Sequence, residues 1–349
     1  MVTIQTNAKE PYGLLRAGFP FLKTIGMRRI TNYPYDVAIE SDERIYVLLR
    51  SMGTAVIRVW FFDDAERLPG TFEDIGSFGR DDGQFTWPVS IILDSDKNIV
   101  VSDEALDRIS FFSRDGEFLK SWGTSGSMVG HLSGPSGITF NHNNNILIAD
   151  TKNHRIQEFT PDGEPVSSWG QYGDGPGELK MPWGLDTDNS GNVYVSDWGN
   201  NRICKFTQQG DFISYFGEEG TGNGSLSGPS GIAVDKYGDT FVADTGNNRV
   251  QLFNKEGRYV QQFIGDATLA RCAREYMLTN ASSNRLRDMA DLEIQKRLRD
   301  PRSVRIDDKG RLYIPDHRSF RVQIYQNEVI PLDETQFGPP RRSRSLLQE

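Results

Sequence analysis

One pattern of residues recurs six times along this chain. Each copy opens on a proline, at Pro34, Pro88, Pro135, Pro182, Pro229 and Pro301. The prolines from Pro88 to Pro229 follow one another at 47-residue steps. A fixed period of this size restricts the chain to a solenoid, a propeller or a linear array. The third copy shows what one unit contains. Four short apolar pieces, Gly137–Phe140, Asn145–Ala149, Arg155–Thr160 and Pro165–Trp169, are separated by Asn141–Asn144, Asp150–Asn153 and Pro161-Asp162-Gly163. Runs this short, rich in Ile, Val and Phe and bounded by Asn, Asp, Gly and Pro, read as strands of antiparallel hairpins. Four strands per unit make one propeller blade.

The wording of the copies resembles the NHL repeat family. The residues that carry the resemblance are Gly137-Ile138, Ala149-Asp150, Asn153, Arg155-Ile156, Phe159 and Asp162-Gly163. They recur as Gly231-Ile232, Ala243-Asp244, Asn248-Arg249-Val250, Phe253 and Glu256-Gly257. The resemblance covers roughly residues 20 to 330 and implies an all-β fold, a six-bladed β-propeller of four-stranded antiparallel blades. The sixth copy has three good strands and a poor fourth piece, Val329–Leu332. An unmatched N-terminal piece, Phe19–Gly26, echoes Phe118–Gly123. The N-terminal strand is therefore expected to complete the last blade and remove an open sheet edge. The organisation predicted is a polar lead-in over residues 1–18, one propeller over 19–332 and a flexible tail over 333–349.

Two places break the period. The first copy has Leu49 or Arg50 where the others have Asp, and a longer connection is expected over Ser51–Ala55. Pro301 follows Pro229 at a step of 72 residues, 25 more than the regular one. The extra segment, residues 266–299, is rich in Ala, Leu, Arg and Glu. Leu269, Cys272, Ala273, Tyr276 and Met277 fall at helical spacing, as do Leu286, Met289, Leu292 and Leu298 more loosely. Two short amphipathic helices are expected, split around Asn280–Asn284, with Ser282, Ser283 or Asn284 capping the second.

The 349 residues carry a net charge of −9, which argues against a nucleic-acid or anionic-membrane binder. Two cysteines, Cys204 and Cys272, suggest no disulfide framework. No apolar run approaches the roughly 20 residues that span a membrane. The first residues lack a basic stretch followed by an apolar core. A monomeric cytoplasmic protein is the expectation.

Internal repetition separates framework from function. Asp103, Asp150, Asp197, Asp244 and Asp316 each stand fifteen residues after their proline, and Arg108, Arg155, Arg202, Arg249 and Arg321 twenty after. Five identical pairs suit a job that every blade has, pairing and bonding loop amides. An active site needs different residues in different roles. The glycine-rich pieces Gly173–Gly177 and Gly220–Gly224 are likewise repeat connections; neither carries the Lys-Ser/Thr of a phosphate-binding loop.

Where the copies disagree, unusual polar and aromatic residues collect in blades one, four and six. After the proline stand Tyr35, Trp183 and Arg302; after the Asp position stand Arg50, Trp198 and His317. Asp36 belongs to the same set. Ala38, Ile92, Thr139, Asp186, Ala233 and Arg305 are expected to face the central channel. In a four-stranded meander these connections, and the insert, all lie on one face. Loops that break the pattern of a rigid scaffold are where binding usually resides. The insert is expected to form a lid or collar there.

The chemistry of this mouth admits two readings. Arg302, Arg305, Arg318 and Arg50 suit a carboxylate or phosphate. Trp183, Trp198 and Tyr35 could wall a pocket for a flat or apolar group. A scaffold receiving a peptide or small anionic ligand follows. The alternative is a lyase or hydrolase with His317 and Asp186 as acid and base, or with Asp36 and Asp186 holding calcium or magnesium. Asp186 and Arg305 could also form a plain ion pair. The chain is distantly similar to peptidyl-hydroxyglycine amidating lyases, which implies zinc held by histidines at the channel mouth. Only His131, His142, His154 and His317 are present, and only His131 and His317 suit that face, so this histidine set is lacking. The sequence names no cofactor.

Overall fold

A computed structural model describes residues 13–41, 44–62, 73–278 and 291–332. Each 47-residue unit folds as a four-stranded antiparallel meander. Blade three is Pro135–Phe140, Ile146–Asp150, Arg155–Phe159 and Pro165–Trp169, in that order from the channel outward. Blades two, four and five repeat this layout from Pro88, Pro182 and Pro229. The second strand, such as Ile146–Asp150, is buried at every residue, because both its faces meet a neighbouring blade. Outer strands such as Pro165–Trp169 stay half exposed. The apolar core is divided accordingly into six slabs, one per blade junction. Leu147 and Ala149 of blade three, for example, pack on Leu185, Val193 and Val195 of blade four.

The ring closes as the sequence implies. Blade six takes Arg305–Ile306, Arg311–Asp316 and Arg321–Gln326 from the C-terminal region and Phe21–Ile25 as its outer strand. The pairing is antiparallel, from Phe21 opposite Tyr325 to Ile25 opposite Val322. The expected polar lead-in is more ordered than its composition suggests. Gly13–Gly18 is a strand, and it pairs with Glu328–Leu332, the piece that matched a fourth strand poorly. This ribbon straps the chain ends to blade five. Arg16 donates from Nε and Nη2 to the two oxygens of Asp239 at 2.7 and 2.5 Å, and Phe19 meets Phe263 edge-on. Residues 1–12 and the tail after 332 lie outside the described residues.

Blade one corrects the expected longer connection. Its second and third strands, Arg44–Ser51 and Thr54–Phe61, continue until Ser51 pairs with Thr54. Only Met52 and Gly53 form the turn, with Gly53 at φ +79°. The missing Asp removes the short 3₁₀ turn that follows the second strand in blades three to six, so the hairpin simply extends.

Among the described residues the insert contains two helices, α1 (Arg271–Leu278) and α2 (Leu292–Lys296). Asp291 caps α2 by accepting from the amides of Glu293 and Ile294. The expected split, the caps at 282–284, and Leu286 and Met289 fall outside the described residues. What is described packs on the rim rather than over the channel. Ala270 and Cys272 join Ile25 and Ile30 in the slab between blades six and one, and Leu298 joins Phe263 and Tyr325. Both cysteines are buried, and neither is in a disulfide. No described helix is long and apolar enough to cross a membrane.

The chain-end strap contains a buried excess of negative charge. Asp235 and Asp239 both lie in the field of Arg16. Burial, and then the Asp239 carboxylate, push Asp235 up to about 6. A carboxyl raised in the folded state destabilises that state as pH rises from its ordinary range through about 6. Asp235→Asn should therefore stabilise the protein at pH 7.5, by up to about 3 kcal/mol, and by nothing near pH 4. The amide can still accept from the Tyr237 and Asp239 amides; Asn327 Nδ2 now donates to the second carboxylate oxygen at 3.3 Å, and turning the Asn327 amide over presents its unpartnered Oδ1 to the new donor. Denaturant melts of both proteins across pH 4–8 check this.

Candidate functional site at the channel mouth

The face of interest is built by one repeated clasp. In blades three to six the arginine that opens the third strand donates from Nε to the aspartate that ends the second, at 2.7–2.8 Å. The same guanidinium also reaches the carbonyls of the loop arriving from the previous blade, such as Met128 and His131 for Arg155. The aspartate's other oxygen accepts the amide two residues before the proline: Ser133, Lys180, Ser227 and Arg299. One ion pair thus pins three segments. Blade two departs from this: Asp103 accepts the Thr86 and Trp87 amides, while Arg108 bonds loop carbonyls and leaves Nε unpartnered. A second link crosses the four junctions from blade two round to blade six. The left-handed residue before the arginine accepts the next blade's amide, as Asn201 does from Gly228 and Asn248 from Asp300. His154 does this through Nδ1 to the Met181 amide at 3.1 Å, so it is a framework residue.

Above the clasp, the residue after the proline meets the residue after the aspartate. In blades three and five these are Ser136 with Thr151 and Ser230 with Thr245, hydroxyl to hydroxyl at 2.6 Å. The threonines also donate to the next blade's proline carbonyl, Pro182 at 2.8 Å and Pro301 at 2.7 Å. This Ser-Thr pair is the default. Blades one, four and six replace it with Tyr35 and Arg50, Trp183 and Trp198, and Arg302 and His317; blade two has Val89 and Glu104.

The replacements of blades six, one and two converge. The Arg50 guanidinium is sandwiched 4.5 Å from the Tyr35 ring and 4.3 Å from the Trp87 ring. Its Nη2 donates to Glu104 at 2.7 Å, and its Nη1 is buried without a partner. Arg302 approaches the same Tyr35 ring at 5.9 Å. Arg302 and Arg318 both face Asp300, at 3.0 and 3.2 Å. Three guanidinium groups thus stand against two carboxylates, on a chain whose net charge is −9. Tyr35 is buried, and burial raises its phenol above the ordinary range. Trp183 lines the same opening as Tyr35 and Arg302, and Trp198 is 42% exposed.

His317 and Asp186 are not brought into contact. His317 Nδ1 lies 3.3 Å from the Pro34 carbonyl, and its ring sits against Tyr33 and Tyr35. A carbonyl only accepts, so Nδ1 carries the proton. This is the junction bond that Thr151 and Thr245 make in their blades. Burial, reinforced by the Arg302 charge, pushes His317 down to about 4, so it is neutral at neutral pH. Asp186 accepts the amides of Thr187 and Val234, and burial raises its carboxyl.

Arg305 pairs not with Asp186 but with Asp36. Its Nε and Nη2 reach the two oxygens at 3.0 and 2.6 Å, and Nη2 also reaches Ser90 Oγ at 3.0 Å. Asp36 further accepts from Ser90 and Ser303 hydroxyls and from the Val37 and Ile91 amides. Six donors saturate this carboxylate, which ties blades one, two and six across the channel. On the other side Gly137, Gly184 and Gly231 hold the same strand position. A Cβ at Gly184 would stand 2.2 Å from the Ser230 carbonyl oxygen, so the inner strands approach as close as backbone allows. Space within the channel at this end is about 20 Å³, room for one water.

Sequence comparison between blades finds Tyr35, Arg50, Trp183, Trp198, Arg302 and His317. It passes over Trp87, Glu104 and Tyr33, whose neighbours across the junction give them their place. Among the described residues no three His, Cys, Asp or Glu side chains converge as metal ligands would. His131 belongs to the loop clamped by Arg155 and Gln157, and His142 to an exposed outer turn, so neither joins His317.

Replacing His317 by threonine should restore the hydroxyl bond of blades three and five. At pH 7 the stability of His317→Thr should stay within about 1 kcal/mol of the parent, the worth of one hydrogen bond. A histidine lowered in the folded state loses stability as pH falls from 6.5 toward 4. The variant should therefore be the more stable protein at pH 4.5, as thermal melts at both pH values will show.

Three segments, residues 132–159, 179–206 and 226–253, match the NHL repeat model, one each in blades three, four and five. No match was found among curated proteins. Solved structures similar to the chain include virginiamycin B lyase from Staphylococcus aureus, 15% identical over 86% of this chain and 82% of that one, with a TM-score of 0.53. A gluconolactonase from Xanthomonas campestris is 14% identical over 90% and 100%, with a TM-score of 0.59. A protein from Bacteroides thetaiotaomicron is 13% identical over 90% and 72%, with the same TM-score of 0.59. At these identities the likeness is one of fold. The chain is thus a six-bladed β-propeller, three of whose blades match the NHL repeat.

Proposed function

We propose that this propeller is a binding scaffold whose channel mouth receives an acidic group, presented by a peptide or a small anionic ligand. The observation that carries the reading is the gathering of Arg50, Arg302 and Arg318 against the carboxylates of Glu104 and Asp300, with cations in excess. Arg302 and Arg318 keep 30% and 70% of their side chains exposed, so guanidinium surface is open at the mouth. Arginine held against aromatic faces is pre-organised for carboxylate or phosphate. Glu104 already occupies Arg50 Nη2 and marks the approach a ligand carboxylate would take. Trp87, at 40% exposed, and Trp198 offer faces for an apolar neighbour of the acidic group.

The shallow mouth favours binding across the surface over engulfment. Asp36, Arg305 and the three glycines fill the channel beneath it, so a ligand rests on Tyr35, Arg302 and Trp183. The lyase or hydrolase reading draws on similar folds alone. At this mouth the imidazole is already engaged by the Pro34 carbonyl and the carboxylate by two amides.

The test is calorimetric titration with a Glu-Tyr-Glu peptide, its Gln-Tyr-Gln counterpart and a phosphotyrosine peptide, followed also by tryptophan fluorescence. The acidic peptides should bind at least about tenfold more tightly than the neutral one, and Arg302→Ala should remove that preference. One charge-assisted hydrogen bond is worth roughly that factor. Equal binding of acidic and neutral peptides, or an Arg302→Ala protein that keeps the preference, would refute the reading.

A further inference from the structure

The channel has a second and wider end on the opposite face, where the turns between first and second strands arrive from blades one, two and six. They surround a cleft of about 290 Å³. Val37, Ile39, Ile91, Ile92, Leu93 and Ile306 give it an aliphatic side, and Glu40, Asp307, Asp308, Lys309 and Arg311 bring charged groups to the rest of its lining. Arg305 borders both this cleft and the narrow space at the mouth, so it marks the inner end. Two of its nitrogens are bound to Asp36 and Ser90. The third, Nη1, has no acceptor among the described residues, and the Arg305 side chain keeps 17% of its surface exposed.

Charge decides what can lie against that nitrogen. Asp36 matches the Arg305 charge at 2.6 Å, and the buried Asp186 adds further negative potential. An anion would therefore meet no net positive field. A cation would find no free oxygen on Asp36, whose acceptor positions are all filled. The other charged groups on the walls balance: Glu40 is paired with Arg114, Asp307 with Arg311, and Asp308 and Lys309 carry opposite charges. A neutral oxygen acceptor fits, since it takes the N–H without adding a charge to a cleft whose charges already balance.

We propose that this cleft is a second ligand site, separate from the mouth, for a small neutral carbonyl compound with an aliphatic body: a ketone, ester or amide. Its volume lies at the small end of ligand pockets. The carbonyl oxygen accepts from Arg305 Nη1, and the aliphatic body lies on the isoleucine and leucine walls.

Protein labelled at isoleucine methyls tests this by NMR, because Ile39, Ile91, Ile92 and Ile306 all report on the cleft. The probes are ε-caprolactam, hexanoate and hexylamine, similar in size and different in charge. Caprolactam should shift these methyls saturably, while the Trp183 and Trp198 indole signals stay in place. Hexanoate and hexylamine should bind roughly tenfold more weakly. Ile92→Phe should fill the cleft and abolish the shifts; the three-probe comparison on the parent protein stands without it. Absence of saturable shifts, shifts spread around the ring, or a charged probe binding as tightly as caprolactam would overturn the proposal.

Discussion

A buried carboxylate at the end of the second strand in blades three to six controls the geometry of the mouth face. From that one position Asp150, Asp197, Asp244 and Asp316 each hold the third-strand arginine and the amide of the incoming loop. Neither partner could be removed cheaply, since an uncompensated charge in such a place costs about 3–5 kcal/mol. The clasp fixes where each inter-blade loop descends to its proline. It thereby sets the height and direction of the residue that follows, which is where the variable side chains of the mouth begin. Function is written one residue beyond the framework.

That adjacency explains how a repetitive fold acquires a distinct site. The Ser-Thr pair of blades three and five closes a junction with two hydroxyls and a proline carbonyl. Larger residues at the same two positions cannot all be accommodated in that way. Tyr35 and Arg50 turn to Trp87 and Glu104 of the next blade, while His317 keeps the carbonyl bond and stacks on Tyr33 and Tyr35. The same logic holds one step deeper. Glycine at Pro+2 in blades three to five lets the inner strands touch, and Asp36, Ser90 and Ser303 at that position in the other blades fill the gap with a hydrogen-bonded hub.

The ring, its blade boundaries and its closure were legible because they rest on a period and on short-range turn chemistry. The Asp-Arg framework was legible because five copies say the same thing. Contacts between blades were not. Arg305 takes Asp36 rather than Asp186, and nothing in either strand names its partner across the channel. Trp87 and Glu104 looked like ordinary repeat residues until the junction placed Arg50 between them. The N-terminal ribbon was missed for a related reason. Gly13–Gly18 has little apolar pattern of its own, and its order comes from Glu328–Leu332 and from the Arg16 bond to Asp239. The helical character of the insert was visible in its composition, but its seat on the rim depends on Ala270 and Cys272 meeting Ile25 and Ile30.

The claim that framework and binding site are separable at this mouth can be measured in one protein. Converting blade six to the default pair, with Arg302→Ser and His317→Thr together, gives it the junction of blades three and five. The doubly substituted protein should melt within about 4 °C of the parent and lose the preference for acidic peptides over neutral ones. A stable propeller that still prefers the acidic peptide would place the binding elsewhere. A collapse of the fold would show that Arg302 and His317 belong to the framework after all.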